Sequence, residues 1–375
     1  MKISVMIGTR PEAIKLAPVI KELKRRQAVA PFSDLQVDIV LTGQHKEILY
    51  TALDDFAIKP DIDLALMTQN QSLSGLTARL LEGVDQYLDE HAPDWVIAQG
   101  DTTTVMASSL AAFYQRIRFA HVEAGLRSHD LYRPFPEEVN RKIAAITATL
   151  HFAPTEDARK NLLQEGIGHK KIMVVGNTIV DAVQEISRLF SGGQANSSLE
   201  QECLQKKRLI LLTCHRRESF GKPLQNICKA IKAVAASHED CRIVFPVHPN
   251  PNVRSVVFQE LAGIDGIVLT EPLRYAPFVN LMRESSAIIT DSGGIQEEAT
   301  TLNKPLLILR DETERPEALQ GCYARLIGTE TMNIVHAVNE VLKDPKSSGG
   351  MAHYANPFGD GKASLRICEA IINAQ

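Results

Sequence analysis

The chain has no C-x-x-C pair, no block of lysines or arginines, and no apolar run approaching a membrane span. Its six cysteines, at 203, 214, 228, 241, 322 and 368, have neither zinc-site spacing nor the look of a disulfide framework, which favours a reducing compartment. Cys214 and His215 are neighbours at a strand-like run, where side chains leave on opposite faces, so shared metal ligation is not expected. A formal net charge of -4 argues against a nucleic-acid partner. The opening run Met1–Ile7 is too short for a secretory signal, and no stretch reaches the ~20 apolar residues of a membrane helix. A cytoplasmic protein is expected. Also absent is G-x-G-x-x-G after the first strand-like run, which disfavours a dinucleotide cofactor.

What is present fills two domains. A chain of 375 residues with 44% hydrophobic content exceeds one typical core. Runs rich in Val, Ile and Leu fall near 3–7, 37–42, 95–98, 118–122, 151–153 and 172–175. A second set falls near 208–213, 242–246, 266–270, 287–290, 305–309 and 324–327. Helical patterns separate them, which predicts parallel sheets covered on both faces and two Rossmann-like domains of about six strands each. The boundary is expected near Gly176, giving domains 1–175 and 176–359, with Thr178 and Asp181 forming a capping box. Residues 191–198 read as a surface loop.

In such sheets ligands bind beyond the carboxyl ends of the strands. After the first strand come Arg10 and Lys15, two cations, with Pro11 in a first helical turn and Pro18 expected to kink that helix or restart it. Later strands end in Asp101 and Glu123, and Glu137 opens a helix. Glu123, directly after a buried strand and before Ala124-Gly125, is poorly placed for a solvated charge. Three such acids around one crevice would repel one another and raise at least one pKa toward the range of a general acid or base. In the second half, His215, Arg216 and His248 follow strands, which suits an anionic ligand. The stretch 287–318 reads as strand, glycine turn, short helix, strand and charged loop. Ser292 is expected to cap the helix, and Gly293 and Gly294 allow close approach of a phosphate to its first turn.

Taken in order, G-T-R-P-E-A-I-K at 8–15, G-D-T-T-T at 100–104, H-V-E-A-G-L-R at 121–127, P-E-E-x-N-R at 136–141, H-R-R-E at 215–218, D-S-G-G-I-Q-E-E at 291–298 and E-R-P-E-A at 314–318 resemble the bacterial non-hydrolysing UDP-N-acetylglucosamine 2-epimerases. The likeness extends to Asn356–Gly361. It implies a glycosyltransferase B-type (GT-B) fold with a central cleft and a last helix, 360–375, returning to the first domain. It also implies a homodimer and no cofactor or metal. By the same resemblance Ser292, Gly293 and Gly294 hold the diphosphate, Glu298 the ribose, and Phe278 lies near the uracil. Arg10, His215 and Arg315 lie at the phosphates, while Asp101, Glu123 and Glu137 surround the sugar; Lys15 and Arg141 complete the expected substrate contacts. The implied reaction is reversible C2 epimerisation by elimination and re-addition of UDP through 2-acetamidoglucal, with Asp101, Glu123, Glu137 and His215 as the catalytic set.

A second UDP-N-acetylglucosamine acting as activator is implied at Gln44, Gln71, Arg216 and His248. Departures from the family pattern are Asn70 where some members carry arginine, Glu47 where some carry glutamine, and Leu273-Arg274 in place of Gln-Glu. Three alternatives stay open: a hydrolysing epimerase releasing UDP and N-acetylmannosamine, a glycosyltransferase of the same fold, and a non-catalytic nucleotide-sugar sensor. Residues Pro11-Glu12-Ala13 favour the non-hydrolysing branch, and a transferase has no use for three acids around C2.

Overall fold

The computed structural model describes residues 1–43, 46–68, 71–190, 208–320, 324–343 and 355–374. They divide into two units, Met1–Ala182 with Phe358–Gln375, and Val183–Pro357. In the first, β1 (Lys2–Ile7), β2 (Gln36–Leu41), β3 (Ile62–Asp63), β4 (Trp95–Gln99), β5 (Arg118–Val122), β6 (Leu150–Ala153) and β7 (Ile172–Val174) pair in the order β3-β2-β1-β4-β5-β6-β7. Every pair is parallel. The connecting helices are α1 (Arg10–Gln27), α2 (Lys46–Asp55), α3 (Leu73–His91), α4 (Thr103–Tyr114), α5 (Glu137–Thr147) and α6 (Glu156–Gln164). Next comes α7 (Thr178–Leu189), and the division between units falls within it.

The second unit holds β8 (Arg208–Thr213), β9 (Cys241–Pro246), β10 (Ile267–Thr270), β11 (Ser285–Thr290), β12 (Leu306–Ile308) and β13 (Ala324–Leu326), again all parallel, in the order β10-β9-β8-β11-β12-β13. Its helices are α8 (Lys222–Ser237), α9 (Pro251–Leu261), α10 (Tyr275–Glu284), α11 (Gly293–Thr301) and α12 (Thr331–Lys343). Last, α13 (Ala363–Asn373) belongs to the first unit and packs on α1.

The apolar runs form strands because both faces of each sheet are covered, as with Val96, Ile97 and Ala98 of β4, all fully buried. All twelve expected strands are present. The short β3 was not expected, since two residues carry no periodicity; it exists because its backbone pairs with Val40 and Leu41 of β2. Each sheet has one point where strand order reverses. In the first unit it lies between β1 and β4, and in the second between β8 and β11. The segments leaving those four strands carry Arg10, Asp101, His215, Arg216 and Ser292.

Two local expectations are corrected. Thr178 and Asp181 form no capping box. Asn177 Oδ1 accepts the Ile179 N–H at 3.1 Å instead, while Asp181 receives Ser364 N–H at 2.9 Å and Ser364 Oγ at 2.6 Å, anchoring the start of α13. Long-range partners outcompete the local box because the chain returns there. Of the kink or restart expected at Pro18, the restart is absent; α1 runs unbroken from Arg10 to Gln27 with Pro18 buried inside it.

Candidate active site

At the first unit's reversal point the loops after β1 and β4 are pressed together. A Cβ on Gly8 would lie 2.1 Å from Thr104 Oγ1, so the loop after β1 requires glycine there. Glu12, in the first turn of α1 and 2% exposed, accepts the Thr9 N–H at 2.8 Å, the Gly8 N–H, and the hydroxyl of Thr102 across the gap. Burial pushes its carboxyl up to about 7, against those hydrogen bonds, which favour the anion. Glu12 was not among the expected site residues; its signal was burial of an acid, which one sequence does not display.

Glu123 directly follows β5 in a left-handed backbone conformation, φ +64°, and is buried. Lys15 Nζ donates to its two oxygens at 2.8 and 2.7 Å, and Gln99 Nε2 donates to Oε2. Asp101 is held by Arg141, whose Nε and Nη2 both donate to Oδ2, at 3.0 and 2.7 Å. Asn140 Nδ2 holds the Asp101 carbonyl at 2.9 Å. Arg141 also donates Nη1 to the fully buried Glu138 at 3.0 Å. Burial opposes the guanidinium charge, yet Asp101 and Glu138 keep its pKa above the ordinary arginine value. Glu137 is the first residue of α5, and its Oε2 is buried without a hydrogen-bond partner among the described residues.

The expected mutual repulsion is answered by cations at two of the three acids: Lys15 faces Glu123, and Arg141 faces Asp101. Lys15 and Arg141 spend their charge on protein carboxylates. Behind the acids, His121 Nε2 lies 2.7 Å from the Gly100 carbonyl, and burial pushes its pKa down to about 4. His151, its register partner on β6, is fully buried with neither ring nitrogen partnered among the described residues; burial and the nearby His121 push it to about 3. Arg10 opens α1, half-buried. Gln71 accepts the Thr68 N–H at 3.1 Å and a hydrogen bond from Arg79. Gln44 and Asn70 lie outside the described residues, as do residues 191–198.

In the second unit a different carboxylate clamps the reversal point. Asp291, fully buried after β11, accepts His215 N–H and Arg216 N–H at 2.9 Å each, Ser219 Oγ at 2.8 Å and Cys214 Sγ at 3.3 Å. That fixes the loop after β8. The His215 ring stacks on His248 with centroids 5.5 Å apart, and burial followed by the nearby His215 lowers the pKa of His248. Residues assigned to separate catalytic and activator sites thus adjoin one another. Arg216 behaves likewise. Its Nη1 pairs with Glu314 at 3.2 Å, and its Nη2 is 3.4 Å from where a Gly293 Cβ would stand.

Ser292 is the N-cap of α11 by backbone, but its side chain makes no capping hydrogen bond, which corrects the expected role. Its N–H is turned to Thr290 Oγ1 at 3.0 Å. Gly293 and Gly294 begin α11 without a left-handed φ, and nothing lies within 4 Å of a Cβ placed on Gly294. Neither backbone conformation nor packing requires glycine at 294. Glycine there costs roughly 1 kcal/mol relative to alanine, so its use suits a molecule that approaches from outside the chain. The first-turn N–H groups of α11 have no intrahelical acceptor and sit at the positive end of its dipole. Beyond them, Glu297 is buried and accepts from Arg315 Nε, Gln296 accepts from Thr313 Oγ1 at 2.6 Å, and Glu298 is buried. Phe278 is half-buried on α10.

Among the described residues, one metal-like group brings His238, Asp240 and Cys241 ligand atoms within 4.8 Å of one another. Its chemistry disfavours a cation: Arg208 already holds Asp240 at 2.6 Å, and burial raises the Cys241 thiol. No helix among the described residues is long and apolar enough to cross a membrane.

Two parallel-sheet α/β units, each with its polar chemistry at a strand-order reversal, define a protein of the GT-B-like class. A family model described as UDP-N-acetylglucosamine 2-epimerase matches residues 27–372. The chain is 46% identical over 377 residues to the UDP-N-acetylglucosamine 2-epimerase of Escherichia coli K12, covering 100% of this chain and 99% of that one. A solved UDP-GlcNAc 2-epimerase from Neisseria meningitidis, bound to UDP-GlcNAc, superposes with a TM-score of 0.88 at 41% identity, covering 99% of this chain and 100% of that one. One from Methanocaldococcus jannaschii, in complex with UDP-GlcNAc and UDP, gives 0.81 at 35%, covering 99% of each chain. The chain belongs to the UDP-N-acetylglucosamine 2-epimerase family.

Proposed function

We propose that the protein interconverts UDP-N-acetylglucosamine and UDP-N-acetylmannosamine without hydrolysing either. The observation that carries this reading is Glu123: a buried carboxylate in left-handed backbone, braced by Lys15 and Gln99. A non-glycine residue held in that conformation at a strand end is a costly placement, of a kind that clusters at working sites. The UDP-GlcNAc bound in the Neisseria relative supports the choice of substrate.

The C2 hydrogen of an N-acetylated sugar is not acidic enough for simple removal. As a carboxylate takes that proton, the C1–O bond to UDP breaks, giving 2-acetamidoglucal and UDP with no free carbanion. A proton then returns to C2 on the opposite face as UDP re-adds at C1, and the configuration inverts. Asp101, Glu123 and Glu137 supply the acid and base. Arg10, His215, Arg315 and the α11 N-terminus with Ser292, Gly293 and Gly294 hold the departing diphosphate, the kind of charge stabilisation that lowers such barriers most. Glu298 takes the ribose and Phe278 the uracil. Activation by a second UDP-sugar, homodimer formation and a cytoplasmic setting belong to the same proposal, with Gln71, Arg216 and His248 on the activator's side.

Incubation with UDP-N-acetylglucosamine alone in heavy water tests it. Deuterium at C2 of sugar still attached to UDP, read by NMR, is the expected result. Free N-acetylmannosamine would establish the hydrolysing alternative, and no label would leave a transferase or a sensor.

A further inference from the structure

We infer that Glu12 is a positioning residue that sets the placement of Asp101 in the reaction proposed above, on which this inference rests. The loop carrying Asp101 is short, and the backbone bond that ties it to β5, from the Gly100 N–H to the Val122 carbonyl at 3.0 Å, stops short of Asp101 itself. Gly100 lies in the left-handed region at φ +88°, and α4 begins two residues after Asp101. Side chains hold the loop. His121 meets the Gly100 carbonyl, Asn140 the Asp101 carbonyl, and Arg141 the Asp101 carboxylate, all from the β5 and α5 side. From the β1 side the loop is tied to Glu12, whose carboxylate accepts the Thr102 hydroxyl.

That hydroxyl has a second task. Thr102 Oγ1 caps α4 by accepting the Val105 N–H at 3.4 Å, so its proton is free to point at Glu12 while its lone pair serves the helix. The other Glu12 oxygen accepts two N–H groups of the loop after β1. One carboxylate thereby locks two strand-end loops across the point where ligands bind in such sheets. A capping-box reading explains the Thr9 bond alone. It leaves the Gly8 and Thr102 bonds, and the near-complete burial, without a purpose. Both guanidinium bonds of Arg141 fall on Asp101 Oδ2, so Oδ1 is the oxygen the frame presents.

A group that works by placement has a distinctive signature. In E12A, a shift of Asp101 by about 1 Å is expected to lower kcat about 10²-fold while KM stays within about threefold. The E12Q amide can keep the frame: its oxygen accepts the two N–H groups and its NH₂ donates to Thr102, so kcat is expected within about threefold of wild type. In a D101N background E12A should cost no more than about twofold, because both changes act through one group. Hydrogen exchange gives a readout independent of turnover: in E12A the peptide spanning residues 100–105 should exchange faster, with the 208–213 strand unchanged. An E12Q variant as impaired as E12A, an undiminished E12A, or an equal loss in the D101N background would each overturn the inference. If wild-type protein places no deuterium at C2, the proposed reaction fails instead, and the exchange of the 100–105 peptide decides the positioning role alone.

Discussion

Both sheets reverse strand order once, and both reversals are clamped by a single buried carboxylate, yet the two clamps serve opposite surroundings. In the first unit Glu12, in the first turn of α1, joins the loop after β1 to the loop after β4, and the acids Asp101, in the second of these loops, and Glu123, after β5, are each matched to a cation. In the second unit Asp291 reaches from the end of β11 to the loop after β8, where it meets Cys214, His215, Arg216 and Ser219 just ahead of the α11 N-terminus. One architecture thus yields an acid-rich edge suited to moving protons and a cation-rich edge suited to holding an anion. The difference lies in what each clamp restrains. Glu12 fixes a loop bearing an acid, whereas Asp291 absorbs the backbone N–H groups of His215 and Arg216, whose side chains meet His248 and Glu314.

The sharpest way to break this contrast is E123Q. Loss of a general acid or base costs about 10²–10⁴-fold in rate, so kcat should fall about 10³-fold by NMR assay with UDP-sugar affinity nearly unchanged. A comparable loss of affinity instead would erase the division of labour between the two edges.

Next in size is acid sensitivity confined to the first unit. His121 and His151 are neutral when folded, with pKa values lowered to about 4 and about 3, and no described histidine of the second unit is buried. A folded pKa below the unfolded value near 6.5 means the unfolded chain takes up the proton first. Stability from these groups is whole above about pH 6.5 and declines as pH falls toward the folded values. By pH 5 each costs about 2 kcal/mol, from ~1.5 pH units at 1.36 kcal/mol per unit. Urea unfolding of H151F should therefore gain on wild type by about 2 kcal/mol between pH 7.5 and pH 5. Glu12 works the other way. Its raised carboxyl favours the folded state below about pH 4.5, and that contribution is lost as pH rises through about 7. Comparing variant with wild type at each pH separates the two.

Smaller, but more specific to the second unit, is G294A. With open space at the added Cβ, stability should hold or rise by up to ~1 kcal/mol, while UDP affinity by calorimetry falls about tenfold. Smallest is S292A. Replacing a capping serine usually costs ~1 kcal/mol, but this hydroxyl makes no capping bond, so the midpoint should move by less than ~0.5 kcal/mol.

Much of this was legible in the chain itself. Twelve strands announce themselves because a strand covered on both faces must be apolar throughout, and the turns after them declare their acids, cations and glycines. Where the reading missed, a long-range partner had intervened. Asp181 looks like half of a capping box until Ser364 arrives from the other end of the chain.

The sequence alone determined the alternation of elements, the family, and which residues stand at strand ends, since these follow from local pattern and order. Only the tertiary structure decided which charges are paired, which acid is buried enough to titrate near neutrality, and which carboxylate bridges each reversal. Those properties depend on desolvation and on partners brought together from far apart in the chain, 108 positions in the case of Lys15 and Glu123, and no local pattern encodes them.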